Sequence, residues 1–571
     1  MDTRGISETR GPAGNKRYKS AYSDNSGTAS PSGREVLECP ERSTTIDDLL
    51  LKETKMYVGR FFYESGLDFS AVNSPNFQRM ISLFSRGMQY QTPTIGELKG
   101  WIFTQVLTEM HERVNDIRTS WADTGCSILL DGWTGADGRE LINILVDCPR
   151  GTVYLCSYDI TDCVENMDWM QLFFVKVLAE VGIQNVVQII TYSNSAFMKE
   201  TGRQLMEKYR PIFWTVSASY CIELMLEKLG EMDLIKETLE KAKMITRFIH
   251  SQPLALKYLR DQTDGNDLVD SSKIRSIRPF LTLENIVAEK ETLKEMLVSS
   301  NPSCSILTSD KERKRVAELV ADRSFWSGAS TVVKGSIPLV RVIEWMNVSG
   351  KDHIGYIYET IDQAKETIKE EFKNKKSQYS PFWKAIDDVW NEFLYSPLHS
   401  AGYYLNPNLF YSGDVFIDPE VVTGLYCCIV RSAADLRMQD RITVQMEQYR
   451  TAKGAMAAGV AADQRTHISP ALWWSQFGGE CPELQRLAVR ILSQTCDGAL
   501  KFQLKRSLAE TLLTKGRSET DQKWQTDMVF LRYNMQLQNF VSGKTNYAMC
   551  NELDPVDDWI ADKAQNNVPT K

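Results

Sequence analysis

The chain has 571 residues, of which 43% are hydrophobic and 25% charged, with a net charge of −8. Its length allows roughly three or four domains, and its acidic balance excludes a protein whose whole surface coats nucleic acid, which needs concentrated Lys and Arg. No apolar run approaches the ~20 residues that cross a bilayer, and the first residues, MDTRGISETRGPAGNKRYKS, lack the apolar core of a secretory signal. A reducing compartment is therefore expected for its 12 cysteines. None of them forms a CxxC, and the five histidines, His111, His250, His353, His399 and His467, are dispersed, so no zinc finger is expected.

In chain order, residues 1–45 are rich in Ser, Gly, Pro and Thr and read as a disordered tail. Within it Lys16-Arg17-Tyr18-Lys19 is either a nuclear-import or phosphate contact or simply a solvated cluster. Residues 46–120 read as helical: Asp47-Asp48 caps a start at Leu49-Leu50-Leu51, Phe69–Pro75 interrupts it, and Phe77–Arg86 resumes. A further helix runs from about Thr94 through Ile102, Val106, Met110 and Val114.

Residues 121–284 alternate between strand and helix signals. Cys126–Thr134, Glu140–Cys148 and Thr152–Thr161 are short β-branched or apolar runs bounded by turn residues, as buried strands are. A helix follows through Trp169, Leu172 and Leu178, then a strand at Asn185–Thr191, a helix at Ser195–Tyr209, a strand at Ile212–Val216 and a helix at Cys221–Leu229. Three strands, helix, strand, helix, strand, helix is the order of a ribonuclease H-like α/β fold. Asp131, delivered by Ser127-Ile128-Leu129-Leu130, stands where that fold carries its first metal-binding carboxylate. A buried charge needs a partner or a metal; the alternative is an Asp that caps a turn.

Residues 285–440 read as a helical insertion, with Ile357, Ile361, Ala364 and Ile368, then Phe382, Ile386 and Val389, at helical spacing. Tyr403 and Tyr404 either stack on bases or fill the core, His399 reads as a hydrogen-bonded packing residue, and Cys427-Cys428 as two sides of a buried helix. In residues 441–545, Ala452–Asp463 is a linker or loose helix, Ser469-Pro470 opens a helix through Leu472, Trp473 and Trp474, and Pro482 opens another with Leu484, Leu487, Ala488 and Ile491 on one face. The two tryptophans carry the kind of apolar area that dominates interfaces, or close the chain's own core. A last helix is expected at Met528–Phe540, followed by an acidic tail, residues 546–571, with Trp559-Ile560 as a partner motif or as disordered chain.

Several stretches taken together resemble plant proteins derived from hAT-superfamily transposases. They are Leu130-Asp131-Gly132-Trp133-Thr134, Asn185–Thr191, Met206-Glu207-Lys208-Tyr209, Cys221–Glu227, Gly355–Glu359, Pro397–Pro407, Trp473–Gly479 and Leu484–Ala488, in order from about Gly59 to Gln538. The resemblance implies a ribonuclease H-like mixed sheet with flanking helices, a large helical insertion and a C-terminal dimerisation region, α/β plus all-α. It places the dimer interface at Trp473, Trp474, Leu484, Leu487, Ala488 and Ile491, with a homodimer or a heterodimer of hAT-related proteins as the assembly. Many relatives begin with a BED-type zinc finger, which this chain lacks.

The departures from the family bear on activity. Where the family has Thr-Asp-Asn-Ala this chain reads Thr191-Tyr192-Ser193-Asn194, so Tyr192 replaces the second metal-binding Asp; tyrosine is a poor Mg²⁺ ligand at neutral pH. Ser217-Ala218-Ser219-Tyr220-Cys221 stands for Cys-Ala-Ala-His-Cys. Where active members place Ser-Glu-Arg or Cys-Glu-Arg, Leu500-Lys501-Phe502-Gln503 has no acid, and Glu510 is the nearest one downstream. Arg275, where the family has an Arg, is either a phosphate contact or a salt-bridge partner for an acid such as Asp131. Asp131 alone does not hold two metals. The expectation is a domesticated, catalytically inactive transposase-like protein, without metal or other cofactor, nuclear or else cytoplasmic, acting through dimerisation with weak nucleic-acid contact and no membrane partner. The alternative is an active metal-dependent strand-transfer enzyme with an altered site, and a decaying element without a role is a third.

Overall fold

The computed structural model describes residues 46–84, 92–164, 166–272, 274–298, 311–348, 353–413, 417–514 and 518–541. The expected tails, with Lys16-Arg17-Tyr18-Lys19 and Trp559-Ile560, lie outside them. The chain divides into two compact units, Met1–Thr54 and Lys55–Lys571. The described part of the first is one helical stretch, in which Thr54 Oγ1 donates to the Leu50 carbonyl (2.7 Å).

The second unit is built on a five-stranded sheet of β1 (Cys126–Thr134), β2 (Glu140–Cys148), β3 (Gly151–Asp159), β4 (Val186–Thr191) and β5 (Phe213–Val216), in the order β3-β2-β1-β4-β5. β1 pairs antiparallel with β2, and β2 with β3; β4 runs parallel to β1, and β5 to β4. This is the ribonuclease H-like mixed sheet that the strand order predicts. Tight turns suffice for the first three strands: Gly135 donates to the Arg139 carbonyl (2.8 Å), and Gly138 takes a φ of +79°. The parallel strands need helical crossovers, supplied by α4 (Met167–Val181) and α5 (Ala196–Lys208) once the N-terminal helices α1 (Ile46–Ser65), α2 (Pro75–Phe84) and α3 (Trp101–Thr119) have passed.

Burial on both sides explains why β1, β2 and β4 are almost continuously apolar. Successive side chains point to opposite faces. Ile128, Leu130, Ile144, Val146 and Ile189 pack into one core with Val106 and Val114 of α3 and Phe174 and Leu178 of α4. Leu129, Leu145, Tyr154 and Ile190 face the other way, onto Phe502, Tyr533 and Leu537 from the C-terminal end of the chain. Asp131 shares the parity of Leu129 and so points toward those C-terminal elements.

Between the two halves of the sheet core runs a long helical body. It holds α6 (Ala218–Gly230), α7 (Asp233–Ser251), α8 (Pro253–Gln262), α9 (Arg278–Ala288), α10 (Lys290–Val298), α11 (Lys311–Ala321), α12 (Arg323–Val348), α13 (Ile357–Glu371) and α14 (Lys376–Val389). It continues through α15 (Pro397–Leu405), α16 (Pro419–Ser432), α17 (Leu436–Arg450), α18 (Pro470–Phe477) and α19 (Pro482–Leu492). The helical body begins earlier than the expected Asn285: Ile235, Ile245 and Phe248 of α7 share one core with Phe325, Leu339, Ile357 and Ile386. No described helix is long and apolar enough to cross a membrane.

The chain then returns to the sheet. Gln188 Nε2 donates to the Thr495 carbonyl (2.6 Å), Ser127 Oγ to Gln494 Oε1 (2.9 Å), and Ala218 N to the Cys496 carbonyl (2.9 Å). After α20 (Arg506–Leu512), α21 (Glu519–Val541) lies along β3, where Asn534 grips both the N–H and the C=O of Tyr154 (2.9 and 3.1 Å).

Packing decides several local readings. Trp473, Trp474, Leu484, Leu487, Ala488 and Ile491 are all buried in one core with Leu398, Leu425 and Tyr449, so these side chains are taken up inside the chain and do not form an open interface. The indole N–H groups of Trp473 and Trp474 donate to the Ala461 and Leu405 carbonyls (2.8 and 2.7 Å). His399 is buried, but neither ring nitrogen makes a hydrogen bond of ordinary geometry. Burial pushes its imidazole down to about 4, with the Leu394 backbone opposing only weakly. Tyr403 and Tyr404 are core residues, Tyr404 packing on Phe410 and Tyr449, and of the cysteine pair Cys428 is buried and Cys427 half-buried.

Candidate functional site

Asp131 sits near the C-terminal end of β1, where its carboxylate is almost completely removed from water. In the antiparallel register it stands directly opposite Asn143 of β2, which stands opposite Ser157 of β3. Same-face neighbours across strands touch, and here they make a polar chain. Asn143 Nδ2 donates to Asp131 Oδ2 (3.1 Å), Ser157 Oγ to Asn143 Oδ1 (2.6 Å), and Ser157 and Tyr154 share a hydrogen bond (2.6 Å).

The other carboxylate oxygen is taken by α20. Arg506 Nη2 donates to Asp131 Oδ1 at 2.8 Å, and the guanidinium carbon lies 5.3 Å from the centre of the Trp133 ring. Trp133 in turn donates through Nε1 to Glu510 Oε1 (2.9 Å), one turn along α20 from Arg506. Arg139 Nη1 reaches the Leu513 carbonyl (2.7 Å), and Tyr533 donates to the Lys505 carbonyl (2.7 Å), so α20 is tied down at both ends. The positive charge that a buried carboxylate requires is thus provided by the protein itself.

Tyr192, one residue beyond β4, lies beside this pair. A Cβ placed on Gly132 would lie 3.0 Å from the Tyr192 hydroxyl, so Tyr192 packs closely against β1 at this glycine. Burial raises the Tyr192 hydroxyl well above the usual tyrosine range; the Asp131 charge adds to the shift, and Arg506 opposes it. Its ring meets Tyr220 edge-on at 6.3 Å.

A second acid, Asp497, is buried beyond β5, where it accepts from Ser217 Oγ (2.9 Å), Ser219 Oγ and the Gly498 N–H (2.8 Å). Glu223 on α6 is pushed up to about 7, first by burial and then by the charges of Asp497 and Glu227. Among the described residues no three His, Cys, Asp or Glu side chains converge in a group able to hold a metal ion.

The positions read from the sequence fall into place unevenly. Asp131 and Tyr192 come together. Glu510 lies much nearer than its sequence distance implies, because α20 folds back onto the end of β1. Lys501 does not join them: it stands over Phe502 (5.2 Å) on a turn whose Phe502 ring is buried against the sheet. Arg275 is exposed in the turn before α9, and the cation paired with Asp131 is Arg506, not Arg275. Arg506, Asp497 and Glu223 were not singled out. Asn143 was signalled by a lone amide inside the apolar run Glu140–Cys148, whereas nothing local marks Arg506.

The fold and site define a ribonuclease H-like scaffold whose leading carboxylate is held by an arginine and an asparagine. Residues 93–245 match the model of a domain of unknown function, DUF659, a transposase-associated domain; the match takes in α3, the whole sheet, α6 and most of α7. A search of curated proteins gives no match.

Proposed function

We propose that this chain is a domesticated, catalytically inactive relative of hAT transposases that works in the nucleus as a dimerising interaction module with weak nucleic-acid contact. The observation that carries the reading is the state of Asp131. Both of its oxygens are engaged, one by Arg506 and one by Asn143, and a tyrosine stands where a second acid would be needed. A two-metal strand-transfer site aligns the attacking and leaving oxygens with several carboxylate ligands. An arginine in that place neutralises the carboxylate without binding a phosphoryl oxygen's nucleophile or activating water.

One observation favours the alternative, an active strand-transfer enzyme with an altered site. Glu510 shares α20 with Arg506 and sits one indole away from Asp131. Against it, Glu510 is already bonded to Trp133, and Arg506 lies between the two acids in the chain of contacts.

Because Trp473 and Trp474 are internal, the dimer surface we propose is made of exposed apolar residues of the same region, Val444 on α17 and Leu472 on α18. The test is solution mass by light scattering for the wild type and for a Val444→Asp, Leu472→Asp variant, alongside a Mg²⁺- and Mn²⁺-dependent strand-cleavage assay. A dimer that becomes a folded monomer, with no cleavage in either protein, is expected. A monomeric wild type, or cleavage abolished by Asp131→Asn, sinks the reading.

A further inference from the structure

We propose that the corner between α13 and α14 is a contact surface for single-stranded nucleic acid, with Lys373, Lys375 and Lys376 on phosphates and Tyr379 beneath a base. The inference rests on the nucleic-acid contact proposed above and gives it a place far along the chain from the Asp131 site.

Residues 373–378 form an unbroken exposed run. Three of the first four are lysines, and among the described residues none of the three is in an ion pair. Lys373 and Asn374 take left-handed backbone angles, with φ of 53° and 60°, that close the end of α13: the Lys373 N–H donates to the Glu370 carbonyl (2.7 Å) and the Asn374 N–H to the Lys369 carbonyl (2.9 Å), which fixes the turn but not the charge of its side chains. Lys375 is the cap residue of α14 and Lys376 its first residue, which places cations at the positive end of a helix dipole. The cations at the start of α14 oppose its dipole, and a polyanion relieves both that opposition and the mutual repulsion of the three ammonium groups.

The ground beside the lysines is aromatic. Tyr379, half-buried one turn into α14, lies 4.9 Å from Trp383 with the rings at 54°. Trp383 is anchored by a hydrogen bond to the Lys365 carbonyl (2.9 Å), and the ammonium groups of Lys365 and Lys369 stand 4.9 and 5.9 Å from its ring centre. Those two lysines are held by Asp387 and Glu366 (2.7 and 2.6 Å), which leaves the three at the corner as the available charges. Cations tracking a backbone beside an aromatic face are the parts of a sequence-tolerant single-strand site. A duplex keeps its bases stacked away from such a face. The chain as a whole carries −8, so binding depends on local cations and falls steeply with salt.

The experiment is fluorescence anisotropy of the full chain with a labelled single-stranded 20-nucleotide DNA or RNA, from 50 to 200 mM salt. Three variants are compared: Lys373→Glu with Lys375→Glu and Lys376→Glu; Tyr379→Ala; and, as a control, Lys311→Glu with Lys314→Glu and Arg315→Glu on exposed α11. The corner reversal is expected to weaken binding more than tenfold and to lower the slope of log affinity against log salt by about 2, at ~0.7 per phosphate contact on a single strand. Tyr379→Ala is expected to weaken it roughly tenfold with the slope unchanged, and the α11 control to stay within twofold. No binding by the wild type at 50 mM salt, or equal loss in the corner and control variants, overturns the proposal. Light scattering on the same samples separates the two readings: a dimer that binds no strand defeats this site alone, and a monomer that binds through the corner defeats the dimer alone.

Discussion

Asp131 and Arg506 form an ion pair whose two halves sit in different surroundings, and this predicts unequal costs of removing them. The Asp131 side chain is 5% exposed and that of Arg506 38%. In Arg506→Ala the carboxylate stays buried with a single neutral donor, Asn143 Nδ2. Breaking a fully buried pair costs ~3–5 kcal/mol; water already reaches the arginine, so about 2–3 kcal/mol is expected here. In Asp131→Asn the shape is kept, the arginine retains the Trp133 ring and its solvent, and the cost is about 1 kcal/mol. The double variant leaves no buried charge and should be more stable than Arg506→Ala alone by about 1 kcal/mol, the signature of direct coupling. Urea unfolding of the four proteins, followed by tryptophan fluorescence and far-UV circular dichroism, supplies the comparison. Equal costs for the two single variants, or strict additivity in the double, would refute the claim that Arg506 neutralises Asp131.

A half-buried acid and a buried histidine predict opposite pH slopes. Glu223 is raised from the usual 4.5 to about 7, so the folded state holds a proton that the unfolded chain releases, and stability falls as pH rises through that window. The full effect is at most about 3 kcal/mol, and Glu223→Gln should abolish it, being more stable than wild type at pH 8 and equal to it near pH 4 in urea unfolding. His399 is lowered from 6.5 to about 4, so the unfolded chain takes up the proton first and stability falls as pH drops from 6.5 toward 4. His399→Phe should flatten that limb, and an unchanged slope would exclude His399 as its source. Trp474→Ala, which empties a fully buried site and leaves the Leu405 carbonyl without its donor, should cost ~3–5 kcal/mol, while exposed Leu472→Asp should stay within about 0.5 kcal/mol; a reversed order would contradict the internal placement of Trp474.

The sheet was legible because its evidence is local. Cys126–Thr134 and Glu140–Cys148 are apolar runs closed by turn residues, and their boundaries in the structure agree with the reading residue for residue. The parallel strands are as clear, offset by a single residue, since Asn185 closes a short turn before β4 and Ile212 packs below the start of β5. The residues expected at the interface are internal for a reason equally physical. An amphipathic helix with Leu484, Leu487, Ala488 and Ile491 on one face announces that the face is buried, and periodicity is silent on whether the covering atoms belong to a second copy or to α15, α16 and α17 of the same chain. Ala452–Asp463 gave a similar ambiguity, resolved as a turn at Gly454–Ala457 and a short helix at Gly459–Gln464.

The site was legible by half. Asp131 could be found because a charge at the end of an apolar run is conspicuous, but its partner is 375 positions away and reaches it only after the helical body has been traversed. A buried carboxylate without a metal is tolerated when a cation pairs with it. Here α20 carries the cation, and the same helix is fastened by Trp133, Arg139 and Tyr533. Asp131 is thereby a fixing point for the segment that closes the sheet, and the fold would register its loss most directly through α20.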